Sequence, residues 1–379
     1  MGGRQNQERS ETDLGPEWTV LEQLALGGDE DPAFLLDLAQ RQGFSWGELI
    51  DQALRHKMAP LVAERFTRPD LAACSPPFVR RHFESMLDVN RHILRFMRSE
   101  TARVLAALGS RGVRVVGTKG ITFESTIYEG RGGRFMNDVD FMTLPEHYGA
   151  IEEAFVELGY QHGRFDWQTG VVRPFGRREV IGYQLNPDHI LPCARLVDDP
   201  IVRAVHLDFA SSLTWSRSPY EVPIHEALAE IATQPLPGHP GVFLPCFTPA
   251  YQFLFTVLHF FRESWFAKWI EHGQDANLIK LADVVRLFEA HRGDLLAPAF
   301  ADLVRRTQTT DPLLWVLTHT DRTLGTHLVS SLGIDGEPSE AFLQGAVGPD
   351  GEPRRWRGSM RARLQAKDRS SLFELTEDA

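Results

Sequence analysis

Residues 115–144 read VVGTKGITFESTIYEGRGGRFMNDVDFMTL, and the rest of the chain is arranged around this stretch. It opens on a β-branched run, Val113 to Val116, and bends at Gly117-Thr118-Lys119-Gly120. The spacing of Ile121, Phe123 and Ile127 predicts a helix running on to Tyr128. A strand, a glycine-flanked lysine and a helix start make anion-binding geometry. Free backbone N–H groups point into the turn, and glycine lets a ligand approach the backbone closely. Gly117, Thr118, Lys119 and Gly120 are therefore candidate nucleotide-binding residues, with Lys119 supplying a full positive charge.

A glycine-rich loop, Gly130 to Gly133, leads into Arg134-Phe135-Met136-Asn137-Asp138-Val139-Asp140-Phe141-Met142. In a strand, residues i and i+2 share a face, so Asp138 and Asp140 point one way while Val139 and Phe141 enter a core. Two side-by-side carboxylates repel unless a cation neutralises them, and hard oxygen donors of this kind suit Mg²⁺, or Mn²⁺, carrying a nucleotide's phosphates. Arg134 and Asn137, in the same unit, join the nucleotide-binding candidates. The competing reading is a solvated strand face and a surface lysine, but it leaves the juxtaposition of phosphate turn and carboxylate strand unexplained.

Further on, Ala204-Val205-His206-Leu207-Asp208-Phe209 alternates so that His206 and Asp208 share a face. If this strand lies beside the Asp138/Asp140 strand, Asp208 becomes a third carboxylate, serving as metal ligand or as base; His206 is kept among the nucleotide-binding candidates. An exposed polar strand face accounts for the spacing equally well.

The 379 residues are 42% hydrophobic and 24% charged, enough for one large or two modest cores. There is no apolar run long enough to span a bilayer and no apolar signal core near the N-terminus, and Asn6 stands where a myristoylation signal needs Ser or Thr. The three cysteines are scattered, which fits a reducing cytoplasm. A net charge of −11 argues against a long nucleic acid as partner and leaves a nucleotide with a small-molecule or peptide acceptor. Composition and spacing predict a disordered tail over 1–15, a helical N-terminal layer over 16–109, an α/β core over 110–245, a helical C-terminal layer over 246–344 and a polar, solvated tail over 345–379. The turn residues Asn186-Pro187-Asp188 fall within the core segment. The stretch from Pro77 to Gly109 reads as a kinked helix or as two, and His259 and His272 read as packing or surface residues.

These residues resemble the bacterial uncharacterised nucleotidyltransferase family of the polymerase-β-like nucleotidyltransferase superfamily. The likeness is tight over 115–160: Lys119-Gly120, Tyr128, Arg134 four residues ahead of Asp138-Val139-Asp140, and Gly159-Tyr160. It continues more loosely in His56-Lys57-Met58-Ala59-Pro60-Leu61, Leu258-His259 and Leu281-Ala282-Asp283. The wider superfamily has Gly-Ser where this chain has Lys119-Gly120. Relatives also carry an acidic residue two positions ahead of a histidine where this chain has His206-Leu207-Asp208, so either His206 or Asp208 takes the third position. The resemblance implies an α+β fold with a mixed sheet between helical layers and Mg²⁺-dependent transfer of a nucleoside monophosphate from an NTP. A non-catalytic nucleotide-binding scaffold and a phosphotransferase acting at the γ-phosphate are the alternatives.

Overall fold

The computed structural model describes residues 15–375 apart from 29–30, 186–187, 216, 272–273 and 349. Most of the tail expected to be disordered, with His272, Asn186 and Pro187, lies outside the described residues. A mixed sheet contains β1 (Val115–Thr118), β2 (Val139–Thr143), β3 (Gln161–His162), β6 (Cys193–Leu196), β7 (Ala204–Ala210), β8 (Ile231–Pro235) and β9 (Phe243–Phe247) in the order β3-β6-β7-β2-β1-β9-β8. Between β3 and β6 stands a separate hairpin of β4 (Arg164–Asp166) and β5 (Val171–Arg173). The fold is the mixed-sheet α+β architecture expected from the sequence.

Strand alternation divides the apolar residues between the two sides of the sheet. Val115, Phe141, Leu207 and Phe209 pack on one side with Ile151 and Phe155 of helix Tyr148–Leu158 and with Leu94, Met97, Val104 and Leu108 of helix Pro77–Gly109. The rings of Phe141 and Phe209 stack at 4.9 Å, tying β2 to β7. Val116, Met142, Ala210 and Phe247 face the other side, where helices from before and after the sheet in sequence share one core cluster. Asp140 and Asp208 have the parity of Met142 and Ala210, so their carboxylates face this second, helix-covered side.

Three local expectations change. Pro77–Gly109 is one unbroken 33-residue helix. The helix after Lys119 is a single turn, Gly120–Phe123, followed by turns rather than helix as far as Tyr128. The third change is the C-terminal segment, expected to be solvated, which is part of the core. Its strands β10 (Gly345–Val347), β11 (Pro353–Trp356) and β12 (Phe373–Leu375) form an antiparallel sheet, and Ala346, Trp356, Met360 and Leu364 are buried in the helical cluster.

The arginine-rich composition concealed a buried ion pair. Arg363 is fully buried, its Nε donating to Asp275 Oδ2 at 3.1 Å and its Nη2 to the Ser264 carbonyl at 2.6 Å. Its guanidinium lies 5.1 Å from the Trp356 ring centroid and 4.8 Å from that of Phe373. Arg369 also donates to Asp275, at 3.1 Å. Burial raises the cost of the Asp275 charge, but the arginines outweigh it and hold the carboxyl below its usual range. Asp275→Ala strands a buried guanidinium, so urea unfolding should show a loss of about 3–5 kcal/mol; a loss near zero would return the segment to the surface.

Candidate functional site

The site is built on a row of backbone pairs across three strands. Thr118 of β1 pairs with Asp140 of β2, and Asp140 pairs with Asp208 of the parallel β7. Like parity in adjacent strands puts the Asp140 and Asp208 side chains next to each other on one face, with Asp138 in the bend that leads into β2. His206 is a pleat before Asp208 on the same face, half-buried and paired across the strands with Ala194. The order His-x-Asp thus leaves the aspartate, not the histidine, opposite Asp140.

The segment delivering Asp138 is fastened from outside the sheet. Asn90 Nδ2 donates to the Gly132 carbonyl at 2.7 Å, and Gly132 N–H donates to Glu124 Oε1 at 3.1 Å. Gly132 has φ +90°, and a Cβ there would sit 2.6 Å from Arg91 Cγ, so the loop needs glycine for both conformation and space.

Charge dominates what these elements converge on. Lys119, at φ 53°, places its Nζ 2.8 Å from Asp140 Oδ1. Burial alone would lower the Lys119 pKa, but Asp140, Glu263 and Asp138 outweigh it and raise the value. Asp208 is raised by burial and by Asp140, against the opposing fields of His189, Lys119 and Arg262. Its Oδ1 is shielded from solvent and has no hydrogen-bond partner among the described residues. Asp138 keeps solvent on one side of its side chain, yet the protein packed around the carboxylate and the Asp140 charge push it up to about 7.

The helical layer adds residues whose role the strand spacing alone did not show. In helix Pro249–Trp265, Glu263 is buried and accepts from Lys280 Nζ at 2.6 Å, while His259 Nδ1 lies 3.3 Å from the same carboxylate oxygen. Burial, reinforced by the neighbouring Lys119, Arg262 and Lys280 charges, keeps the His259 imidazole neutral well into the acid range. Lys57 acts electrostatically on Asp138 and Lys280, and His189 and Arg262 on Asp208. Lys57, His259 and Asp283 lie in the loosely matched stretches noted in the sequence, and those matches were the available signal.

Other candidates are engaged elsewhere. Arg134, expected to hold phosphate, donates to Asp283 through Nε at 3.1 Å and Nη2 at 2.8 Å, and Tyr128 Oη donates to the same carboxylate at 2.7 Å. A buried guanidinium that already has a bidentate carboxylate is a poor phosphate ligand, and here it ties the loop before Asp138 to helix Leu278–Ala290. Gly117 and Gly120 are packing residues, since a Cβ would lie 2.8 Å from Leu244 and 3.1 Å from Met136. The buried Thr118 donates weakly to the Asp140 carbonyl at 3.4 Å, and Asn137 is exposed beside the carboxylates. A hollow of about 280 Å³ behind Tyr128 and Arg286 contains none of the three aspartates.

Among the described residues, no three His, Cys, Asp or Glu side chains form a ready-made metal cage. The donors nevertheless fit a hard cation: adjacent carboxylates, an unpartnered Asp208 oxygen and raised acid pKa values describe negative charge short of neutralisation. Mg²⁺ commonly binds through one or two carboxylates plus substrate phosphates and water, not through a complete protein cage.

Residues 42–325 match the family described as uncharacterised nucleotidyltransferase, a span that includes all three aspartates, Lys119 and Glu263. The chain belongs to this nucleotidyltransferase family. A comparison with curated proteins finds no match. No helix among the described residues is long and apolar enough to cross a membrane.

An acid whose pKa rises on folding binds more protons in the native than in the unfolded state, so stability falls as pH rises from its ordinary value of 3.8 towards about 7. Asp138→Asn removes that liability. Without ligand, its Tm should exceed that of the wild type at pH 8, with little difference at pH 4. Equal differences at both pH values would show that Asp138 is not the group concerned.

Proposed function

We propose that the protein transfers a nucleoside monophosphate from an NTP to a hydroxyl-bearing small-molecule or peptide acceptor, with Mg²⁺ or Mn²⁺ held by Asp138, Asp140 and Asp208. The observation carrying this reading is the Asp140–Asp208 register, which brings the third carboxylate beside that of Asp140. When bound, the cation would neutralise the carboxylates, align the α-phosphate and stabilise departing pyrophosphate.

The chain's own groups would do the rest. Asp208 Oδ1, buried and without a partner, is placed to take the proton as the acceptor oxygen attacks the α-phosphorus and the α–β phosphoanhydride bond breaks. Lys119 would exchange Asp140 for a phosphate oxygen once those carboxylates are neutralised. Thr118 and the Gly120 backbone remain near the phosphates, while Asn137 and His206 border the nucleotide. Glu263 holds Lys280 and faces the neutral His259, fixing a polar wall opposite the sheet. The acidic chain suits a cytoplasmic enzyme acting on a small substrate. The same constellation suits attack at the γ-phosphate, and the product separates the readings: pyrophosphate for nucleotidyl transfer, ADP for phosphotransfer from ATP.

At a concentration 100 times its Kd, Mg²⁺-NTP should stabilise the wild type by about 2.7 kcal/mol, and Asp138→Asn/Asp140→Asn should abolish the effect. Calorimetric scans with each of the four NTPs would measure it. A shift of equal size in the double variant would put the nucleotide elsewhere, and no shift in the wild type with any NTP would sink the reading.

A further inference from the structure

Helix Arg177–Leu185 contains no buried residue, whereas every other described helix of eight or more residues buries at least two. A helix this short is marginal in water unless packing supports one face of it. Here only Val180, Gly182 and Tyr183 are half-buried, while Arg177, Arg178, Ile181 and Leu185 are exposed. Spacings of three and four residues gather those four side chains on one side of the helix, opposite Val180 and Tyr183.

The hairpin of β4 and β5 extends this exposed surface. Arg164 of β4 pairs with Glu179 at 3.1 Å, and its guanidinium lies 5.0 Å from the Phe175 ring centroid, which ties hairpin to helix. At the hairpin turn, Trp167 packs edge-on to Phe165 at 4.9 Å yet stays 76% exposed, and Leu185 is 72% exposed. Apolar side chains grouped in this way mark a docking surface. Charge gives it a sign. Arg173 pairs with Asp166 as Arg164 does with Glu179, which leaves Arg177 and Arg178 without an ion pair among the described residues, in a chain of net charge −11.

The backbone joins this surface to the aspartates. Leu185 lies three residues before Asp188, whose carbonyl accepts from Ser211 N–H at 2.8 Å, and Ile190 N–H donates to the Phe209 carbonyl at 2.9 Å. His189 thereby pairs with Ala210, which has the parity of Asp208. The apolar end of the helix thus leads to the end of β7, one residue beyond Asp208, and the arginine end lies about 12 Å further out, the length of about four extended residues. An exposed strip suits an extended chain, because a small molecule needs enclosing walls to bury most of its surface.

We propose that the hairpin and helix Arg177–Leu185 dock an acceptor peptide rich in carboxylates and large apolar side chains. Its carboxylates meet Arg177 and Arg178, its apolar side chains cover Ile181 and Leu185, and its hydroxyl is delivered to Asp208. The acceptor role rests on the nucleotidyl-transfer reading: the peptide oxygen bonds to the α-phosphorus, its proton passes to Asp208, the α–β anhydride bond breaks and pyrophosphate leaves.

Fluorescence polarisation with fluorescein-labelled serine peptides of one length, either glutamate- and leucine-rich or lysine- and leucine-rich, tests the docking. The wild type should bind the glutamate peptide at least tenfold more tightly than the lysine peptide. Arg177→Glu/Arg178→Glu should invert that order while leaving the Tm and its response to Mg²⁺-NTP unchanged, and Ile181→Ser/Leu185→Ser should weaken the glutamate peptide at least tenfold. No preference in the wild type, or the same preference after charge reversal, overturns the proposal. So does binding to phosphatidylglycerol vesicles, lost on charge reversal, without peptide binding, which would make the strip a membrane-facing surface. Peptide docking in a wild type whose Tm responds to no Mg²⁺-NTP would sink the nucleotidyl-transfer reading, and with it the peptide's role as acceptor, while leaving the docking surface established.

Discussion

Negative charge crowded onto one face of a sheet is the constraint that the surrounding structure answers. The pairing of β2 with β7 sets Asp140 against Asp208, and the bend before β2 adds Asp138. Sheet geometry alone would leave three like charges in a half-buried place. Lys119 reaches back to Asp140, and Lys57, His189 and Arg262 add positive field from the edges. This compensation is incomplete, as the raised Asp138 and the unpartnered Asp208 oxygen indicate. A better-neutralised cluster would be more stable without ligand and would have less use for a cation.

The helices before and after the sheet complete that environment from distant parts of the sequence. His56 accepts from Leu278 N–H, and Arg134 and Tyr128 converge on Asp283. Each contact joins segments more than a hundred residues apart. Together they tie the helices before and after the sheet to each other and to the loop that leads into β2. Membership of a nucleotidyltransferase family, with a match extending from 42 to 325, fits a site that needs the helices as much as the sheet.

Sequence legibility followed the range of the interactions. Period-two alternation gave the Asp138/Asp140 and His206/Asp208 strands, because face parity is a property of adjacent residues. Whether β7 would pair with β2, and in which register, depended on Phe141 stacking on Phe209 and could not be read from either strand alone. The pairing of Arg134 with Asp283 was not legible, because Asp283 lies in a distant helix and spacing within the turn carries no information about it. Gly117 and Gly120 looked like phosphate-loop glycines, but their small size serves the close approach of Leu244 and Met136. The C-terminal segment was misjudged by composition: its arginines suggested solvent, whereas Trp356, Met360 and Leu364 set among them are what the core takes up.

Burial of Arg363 has a temporal consequence as well. Its carboxylate partner, Asp275, also offers its backbone carbonyl to Lys280 Nζ at 3.1 Å, so the C-terminal segment is two contacts from Lys280. A chain emerging from the ribosome can pair its central strands once residue 247 is out, but the ammonium beside Glu263 lacks its full support until residue 363 follows. Synthesis thus delivers the acidic strands first, and the Arg363–Asp275 pair that fixes the carbonyl bonded by Lys280 last.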